Sequence, residues 1–237
     1  MNSEFIILHW LYVAIMAGGA LAIIVMSKNP KGVPKMDYFI TFVIPIWSAI
    51  AYTSMAIGQG MIEIGNQIVF YARYIDWVVT TPLLLLSLCL AAMYYAPKNK
   101  VIILGIMSAD VVMVLCGLIA DLSTGINRYI WFFIGVIAFL VIQWLIWVPI
   151  RNIAREQNHN LYKLYLILSG YLLILWIGYP TTWLVGPSGL ALVSQRVDTY
   201  LFVILPIFSK VGFSLLTLLG LRKLKSPDKN GTIKAGS

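Results

Sequence analysis

The sequence predicts an all-α membrane protein, a seven-transmembrane-helix bundle with its N-terminus outside and its C-terminus in the cytoplasm. Three observations support this prediction. Of the 237 residues, 60% are hydrophobic and only 11% are charged, and the mean hydropathy is +0.88. A water-soluble surface needs more charge than this. In addition, the apolar residues form long runs, and the basic residues are concentrated in alternate loops.

The apolar runs are long enough to cross a bilayer, because a spanning helix needs about 20 residues. They cover about 5–26, 37–58, 70–93, 101–120, 128–149, 161–184 and 199–221. We expect the first to be a retained helix rather than a removed signal peptide, since no basic segment precedes it. The connections are short, so residues 1–224 form one transmembrane domain and residues 225–237 a polar cytoplasmic tail. The longest outer loop, "GQGMIEIGNQI", alternates apolar and polar residues as a short hairpin does.

The net charge of +8 is distributed by side of the membrane. With seven spans, one side receives the basic tail together with Lys28, Lys31, Lys35, Lys98, Lys100, Arg151, Arg155 and Lys163. The opposite loops contain only Arg128 and Arg196. By the positive-inside rule the basic side is cytoplasmic. The charge therefore sets topology and contacts lipid headgroups rather than nucleic acid, as in a multi-pass protein of the cell membrane.

Several kinds of chemistry have no support in the sequence. Cys89 and Cys116 lie inside apolar runs and are expected to be small core residues, not a disulfide. His9 and His159 are far apart. There is no metal-ligand spacing, phosphate-binding glycine loop or nucleophile motif, so we expect neither a metal site nor an enzyme.

Four charged residues lie deep in the apolar runs: Arg73, Asp76, Asp110 and Lys210. Each costs about 3 kcal/mol or more at the bilayer centre and therefore indicates function. Lys210 lies near the middle of the last run. It can lose its proton, pair with a carboxylate, or form a Schiff base with a carbonyl ligand.

Asp76 can supply the carboxylate that pairs with that lysine. Arg73, Asp76 and Thr80 share one helical face, which Ser87 extends toward the cytoplasm. Arg73 is expected to hold Asp76 ionised, and Thr80 to hydrogen-bond it. Two interpretations stay open here: a structural salt bridge between the third and seventh runs, or a proton or ligand site.

The sixth run adds an aromatic face. Trp176, Tyr179, Pro180 and Trp183 follow helical spacing, with a proline kink among them. Aromatic packing between helices explains such a face, and so does a slot for a long, flat, apolar ligand.

Together, "RYIDWVVTTPLLLL", "SKVGFSLL" and "WIGYPTTWLVGPSG" resemble the microbial rhodopsins over essentially the whole chain. The resemblance implies that Lys210 carries all-trans retinal as a protonated Schiff base, with Asp76 as counterion and Tyr52 nearby. It implies a hydrogen bond between Thr81 and Asp110. The implied retinal pocket consists of Trp77, Met113, Gly117, Phe132, Gly135, Phe139, Trp176, Tyr179, Pro180, Trp183 and Pro206.

Two positions differ from the pattern of most microbial rhodopsins and indicate a particular branch of the family. Ser87 stands where outward proton pumps usually carry a carboxylic acid, and Pro206 where most of the family has a second aspartate. With "LHWLY", "PIWSAIAY" and "LLSLC", the pattern is similar to the xenorhodopsin branch, which contains the cyanobacterial sensory rhodopsin and inward proton pumps. A serine has no useful acidity near neutral pH, so reprotonation from the cytoplasm is disfavoured.

The resemblance therefore implies a light-driven inward proton pump, or alternatively a photosensor that signals to a soluble cytoplasmic partner. Asp37 is a candidate proton acceptor, because Thr217 replaces the aspartate of some relatives; it can equally be a helix-start acid, and Ser87 with water offers another route. Asp198 can join outer proton uptake with Arg73 or be a solvated helix cap. Chloride and sodium pumping are disfavoured. A homotrimer and a 13-cis retinal fraction are further implications.

Overall fold

The computed structural model describes residues 3–64 and 67–224, and within them seven helices are long and apolar enough to cross a membrane. They are α1 (Ser3–Ser27), α2 (Lys35–Ala56), α3 (Tyr71–Ala92), α4 (Lys100–Leu122), α5 (Ile126–Arg155), α6 (His159–Val185) and α7 (Gln195–Leu221). All seven predicted spans are confirmed. The proposed tail, residues 225–237, lies outside the described residues.

The loop between α2 and α3 contains the expected hairpin. Strands β1 (Ile62–Ile64) and β2 (Gln67–Val69) pair antiparallel, with Ile62 opposite Val69. We call this end of the bundle the hairpin end. The opposite end, which contains the α3–α4 loop with Lys98, is called the Lys98 end.

Helix α5 is longer than predicted. The polar stretch that starts at Arg151 continues the helix to Arg155 instead of forming a linker. The segment Ile146–Ile150, which contains Pro149, is π-helical. Proline lacks an N–H and its ring clashes with the preceding turn, so a locally wider turn accommodates it. The Tyr165 hydroxyl of α6 donates to the Ile146 carbonyl at 2.5 Å and fastens this segment.

The helices pack in sequential order, and α7 closes the bundle by contacting α1, α2, α3 and α6. Large apolar side chains such as Val101, Trp144 and Ile174 are exposed on the outside, where lipid is the natural solvent. The polar side chains are turned inward: Asp76, Thr80, Asp110 and Lys210 are all fully buried. Apolar side chains that favour lipid and polar side chains that avoid it thus determine which face of each helix points inward.

Candidate functional site

The lysine at the centre of the site lies in an irregular part of α7. The helix runs regularly over Gln195–Pro206, becomes π-helical over Ile207–Gly212, and is regular again over Phe213–Leu221. Lys210 lies inside the π-helical segment and its side chain is fully buried. π-Helical turns inside α-helices are frequent at functional sites. Pro206, at the start of this one, removes a backbone N–H donor.

Asp76 forms an ion pair with Lys210 and is fully buried with it. Ser48 of α2 joins both partners. Its hydroxyl accepts a hydrogen bond from Lys210 Nζ at 2.9 Å and donates one to Asp76 Oδ2 at 3.0 Å. The Tyr12 hydroxyl lies 2.6 Å from Ser48 Oγ. A hydroxyl has a single hydrogen, so Tyr12 is the donor in that bond when Ser48 donates to Asp76.

The threonines of α3 occupy the expected positions. Thr80 Oγ1 lies 3.3 Å from Asp76 Oδ1 and 2.8 Å from the Asp76 carbonyl oxygen, one turn earlier in the helix. Thr81 donates to Asp110 Oδ2 at 2.6 Å, which joins α3 to α4. Helical spacing placed Thr80 beside Asp76, because i and i+4 positions of a helix are neighbours, whereas the contact between Thr81 and Asp110 was implied by the family resemblance.

Arg73 does not pair with Asp76. Its Nη1 instead lies 3.2 Å from Asp198 Oδ2, and both side chains are buried. The guanidinium is also sandwiched between Phe70 and Phe202, at 4.5 and 4.7 Å from the ring centroids. The expectation that Arg73 holds Asp76 directly was therefore wrong. Helical spacing predicts from which side of the helix a side chain projects, but not how far it extends or which group it contacts. The long Arg73 side chain extends toward the hairpin end.

Asp198 is not a solvated helix cap. Ser194 caps α7 by accepting the Val197 N–H, while Asp198 lies in the first turn and is buried. Tyr52 lies beside the site, because its ring stacks on Tyr12 at 3.7 Å. Its hydroxyl donates to the Phe202 carbonyl at 2.6 Å.

A largely apolar cavity lies among α3, α4, α5, α6 and α7. Its walls are formed by Tyr74, Trp77, Thr81, Met113, Val114, Gly117, Phe132, Gly135, Val136, Phe139, Trp176, Tyr179, Pro180, Trp183 and Phe202. The sequence singled out eleven of these fifteen residues. It missed Tyr74, Val114, Val136 and Phe202, which are ordinary apolar or aromatic residues without a distinguishing pattern.

Aromatic rings form much of the cavity wall. Trp77 meets Tyr179 edge-on with centroids 5.3 Å apart, while Phe132 stacks on Trp183 at 4.4 Å. The Tyr179 hydroxyl lies 2.8 Å from Ser209 Oγ, the residue before Lys210. The cavity wall is therefore tied to the lysine segment. Asp110 and Pro206 do not line the cavity; Asp110 reaches its wall through Thr81.

Toward the Lys98 end the interior contains hydroxyls. Ser87, Ser214 and Thr217 are fully buried, and none of their hydroxyl oxygens has a hydrogen-bond partner among the described residues. Asp37 lies beyond them, also buried, near Lys98. Burial lowers the pKa of the Lys98 ammonium, and the nearby Asp37 acts in the opposite direction. The Lys98 ammonium donates to the Met93 carbonyl at the end of α3.

Ser48 and Tyr12 were missed by sequence reasoning. Ser48 precedes Tyr52 by one helical turn, so the two share a face of α2. The position of the Ser48 hydroxyl one helical turn before Tyr52, a predicted site residue, could have identified Ser48 as part of the site. Tyr12 resembles an interfacial anchor in sequence, and only the packing of α1 on α2 brings it to the site.

Comparison with known proteins gives consistent results. Archaerhodopsin-3 of Halorubrum sodomense is 35% identical over 186 residues, 76% of this chain and 70% of the relative. Sensory rhodopsin-2 of Natronomonas pharaonis is 34% identical over 212 residues, 89% of this chain and 87% of the relative. The crystal structure of Coccomyxa subellipsoidea rhodopsin, described as a light-driven proton pump, has a TM-score of 0.84 and 32% identity, covering 92% of this chain and 97% of that one.

Residues 4–224 also match the family described as "Bacteriorhodopsin-like protein". This match spans all seven helices and includes every residue of the site above. The chain therefore belongs to the bacteriorhodopsin-like family of multi-pass membrane proteins, in which a retinal chromophore is bound through a Schiff base.

Proposed function

We propose that this protein is a light-driven inward proton pump in which Lys210 carries retinal and Asp76 is the counterion. One observation supports the inward direction of proton transport. Between the level of Asp110 and the Lys98 end, Asp37 is the one buried carboxyl of the described residues, and Ser87 stands between it and the site. That half of the bundle therefore lacks an acid close enough to return a proton to Lys210.

The residues present fit a retinal. A retinal Schiff base needs a buried amine, a counterion and a long apolar slot. Lys210 and Asp76 supply the first two, and the aromatic cavity supplies the third. Gly117 faces Tyr74 closely, since a Cβ at Gly117 would lie 3.2 Å from the Tyr74 ring. When bound, retinal supplies light absorption and the isomerisation that redirects the nitrogen's proton.

Asp76 neutralises the charge at Lys210 Nζ and is itself held by Ser48 and Thr80. Pro206 leaves α7 without a second carboxyl one turn before Lys210. A second carboxylate there would attract the proton toward the hairpin end. Its absence lowers the cost of proton release toward the Lys98 end.

The acceptor is Asp37, with the buried hydroxyls of Ser87, Ser214 and Thr217 and bound water as the route. Water is a reasonable partner for these hydroxyls because buried polar groups without protein partners usually bind it. Direct release to bulk water through the same hydroxyls is the alternative route.

Uptake occurs at the hairpin end, which we place outside the cell by the distribution of basic loops. Arg73 and Asp198 form the buried ion pair nearest that surface. After the first proton has left, Asp198 takes up a proton from water at that end, and this proton is passed on to the Lys210 nitrogen while the Asp198 carboxylate is restored. We further propose membership of the xenorhodopsin branch, an all-trans resting chromophore with a 13-cis fraction, and a homotrimer.

Ion transport in cells tests the proposal. Cells that express the protein with retinal are illuminated while the external pH is followed, with and without a protonophore. We expect light-dependent alkalinisation that the protonophore abolishes. Acidification would contradict the proposal.

A second candidate function is photosensing through a soluble cytoplasmic partner. The similarity to sensory rhodopsin-2 over 89% of the chain favours keeping it. In that case illumination leaves the external pH unchanged although the visible chromophore forms and responds to light.

A further inference from the structure

Two consecutive hydrogen bonds lead from α1 through α2 to the lysine nitrogen. Tyr12 of α1 is fully buried, and its hydroxyl lies 2.6 Å from Ser48 Oγ of α2. Ser48 Oγ in turn lies 2.9 Å from Lys210 Nζ. Both separations are those of ordinary hydrogen bonds. Helix α1, which takes no part in the transport route above, is therefore connected directly to the reacting nitrogen.

The hydrogens of this chain point toward the nitrogen. Ser48 donates its single hydrogen to Asp76 while it accepts from Lys210, so Tyr12 is the donor to Ser48. A nitrogen that has lost its proton can only accept, and its contact with Ser48 then requires the Ser48 hydrogen to turn from Asp76 to the nitrogen. Tyr12 is the donor in both arrangements. The chain is therefore aligned to deliver a proton to Lys210 without any rearrangement of Tyr12.

Other polar groups near the nitrogen are less suited to deliver a proton. Tyr52 donates to a backbone carbonyl of α7 at 2.6 Å, and Thr80 Oγ1 lies 2.8 Å from the Asp76 carbonyl oxygen. Among the described residues, Ser48 and Asp76 are the groups that hydrogen-bond Lys210 Nζ. Asp76 as the ionised counterion has no hydrogen to give. Ser48 is therefore the donor that the geometry provides.

His9 lies on the same side of α1, three residues before Tyr12, and is completely buried. Its ring meets the Tyr52 ring edge-on with centroids 5.7 Å apart, and Tyr12 stacks on that same ring at 3.7 Å. The His9 ring also meets Phe70 at 5.5 Å, and Phe70 packs on the Arg73 guanidinium. His9 thus contacts both the tyrosine pair Tyr12–Tyr52 and the ring that covers the hairpin-end arginine.

Neither ring nitrogen of His9 has a hydrogen-bond partner among the described residues. An imidazole carries at least one N–H, and buried polar atoms without a protein partner usually bind water. A hydrated imidazole can take up a proton at one nitrogen and release one from the other. His9 is therefore suited to pass protons from the hairpin end to Tyr12.

We propose that His9, Tyr12 and Ser48 form a proton relay. The relay delivers the proton taken up at Asp198 to the Lys210 nitrogen, and it rests on the inward direction proposed above. In the delivery step the Ser48 O–H bond breaks as an N–H bond forms at Lys210. The Ser48 oxygen takes the Tyr12 hydrogen, and the Tyr12 oxygen takes one from His9 through water. The Asp198 proton, carried by water, replaces the one that left His9, so no charge stays on the relay.

Tyr12→Phe tests the relay, because it removes one hydroxyl and retains the ring that stacks on Tyr52. We expect the visible absorbance of the purified pigment to recover about a hundredfold more slowly after a flash, the lower end of what positioned proton transfer contributes. Tyr165→Phe is the matched control, because Tyr165 is equally buried and its hydroxyl bonds a carbonyl of α5. It should recover at the wild-type rate. The same rate in Tyr12→Phe would overturn the proposal.

A second measurement needs neither light nor retinal. The chain has only two histidines, His9 and His159, so nitrogen NMR spectra resolve both rings, and His9→Phe assigns them. When the retinal-free protein in membranes is transferred to heavy water, we expect the His9 N–H to exchange, because the relay requires water there. The exposed His159 shows complete exchange. A His9 N–H that persists for days overturns the proposal, even if Tyr12→Phe forms no pigment.

Failure of the relay is distinguishable from failure of the pump proposal. Slow recovery of Tyr12→Phe together with exchange at His9 supports the relay even if illuminated cells show no alkalinisation. Alkalinisation by wild-type cells together with an unchanged recovery rate in Tyr12→Phe refutes the relay alone.

Discussion

Ser48 illustrates how much one hydroxyl can organise at the scale of a single residue. It bonds both members of the Lys210–Asp76 ion pair and is itself contacted by the Tyr12 hydroxyl. Hydrogen bonds to charged groups contribute about 1.5–3 kcal/mol. Loss of such bonds at a buried ion pair destabilises the folded protein.

Ser48→Ala should therefore lower the stability of the pigment, because the Lys210–Asp76 pair loses a buried hydrogen-bonding partner. We expect the pigment to lose its colour at a lower temperature in a thermal melt, with a loss of about 1.5–3 kcal/mol. Thr53→Ala is the control, because that hydroxyl bonds only the Ala49 carbonyl of its own helix. Equal melting of the two variants would mean that Ser48 does not stabilise the ion pair.

Lys210→Ala should abolish the visible chromophore, because no other buried amine is available at the cavity among the described residues. Absorption spectra after addition of retinal measure this. Lys163→Ala, which removes an exposed lysine of α6, should retain full colour. A coloured Lys210→Ala protein would refute the attachment site.

At the scale of elements, both π-helical segments are fastened by α6. Tyr165 donates to the Ile146 carbonyl of α5, and Tyr171 donates to the Phe208 carbonyl of α7 at 3.0 Å. Helix α1 packs against the same segment of α7, where a Cβ at Gly19 would lie 2.7 Å from Val211. The irregular segment around Lys210 is thus supported from two sides.

Gly19→Ala should disturb this packing, since inserting a methyl group into a tight contact costs about 1–3 kcal/mol. We expect the pigment to lose its colour at a lower temperature in a thermal melt. Gly18→Ala is the matched control, because no atom lies within 4 Å of a Cβ there. The double change Gly19→Ala with Val211→Ala should restore the stability. Equal melting of the two single variants would show that α1 does not support the segment.

At the scale of the whole molecule, the basic residues and the hairpin mark opposite ends of the bundle. Asymmetry of basic loops determines orientation during membrane insertion. The hairpin end is therefore expected to face outward. Because the free cysteines Cys89 and Cys116 are buried, introduced cysteines can report on this.

A cysteine introduced as Glu63→Cys should react with a membrane-impermeant maleimide in intact cells. Lys100→Cys, exposed at the other end, should react only after the membrane is opened. Labelling of both proteins is compared on gels. The reverse pattern would invert the topology and with it the direction of transport.

Much of the architecture was predictable because a bilayer imposes simple rules. Apolar length located all seven spans, and the alternation of apolar and polar residues located the hairpin. The exception was the end of α5, where the polar residues Arg151 to Arg155 continue the helix. Polarity shows where a chain leaves the hydrocarbon, but not where its backbone stops being helical.

The site was predictable where its residues follow helical spacing or carry charge in an apolar run. The charges of Asp76 and Lys210 and the spacing of Thr80 were sufficient. Motif resemblance supplied Thr81 with Asp110 and most of the cavity wall. Partners from distant helices were harder to predict. Asp198 with Arg73 was one of two alternatives that the sequence left open, and the bond from Tyr52 to the Phe202 carbonyl was not expected. Side-chain reach depends on rotamers and packing, which spacing does not encode.

By itself the sequence determined that this is a seven-helix membrane bundle with a buried lysine and a buried aspartate, because hydrocarbon tolerates only helices and paired charges. Only the tertiary structure decided how the remaining charges are shared. It paired Asp76 with Lys210 and Ser48, and Arg73 with Asp198. The physical reason is that charge pairing acts over a few ångströms, and those distances are set by helix packing.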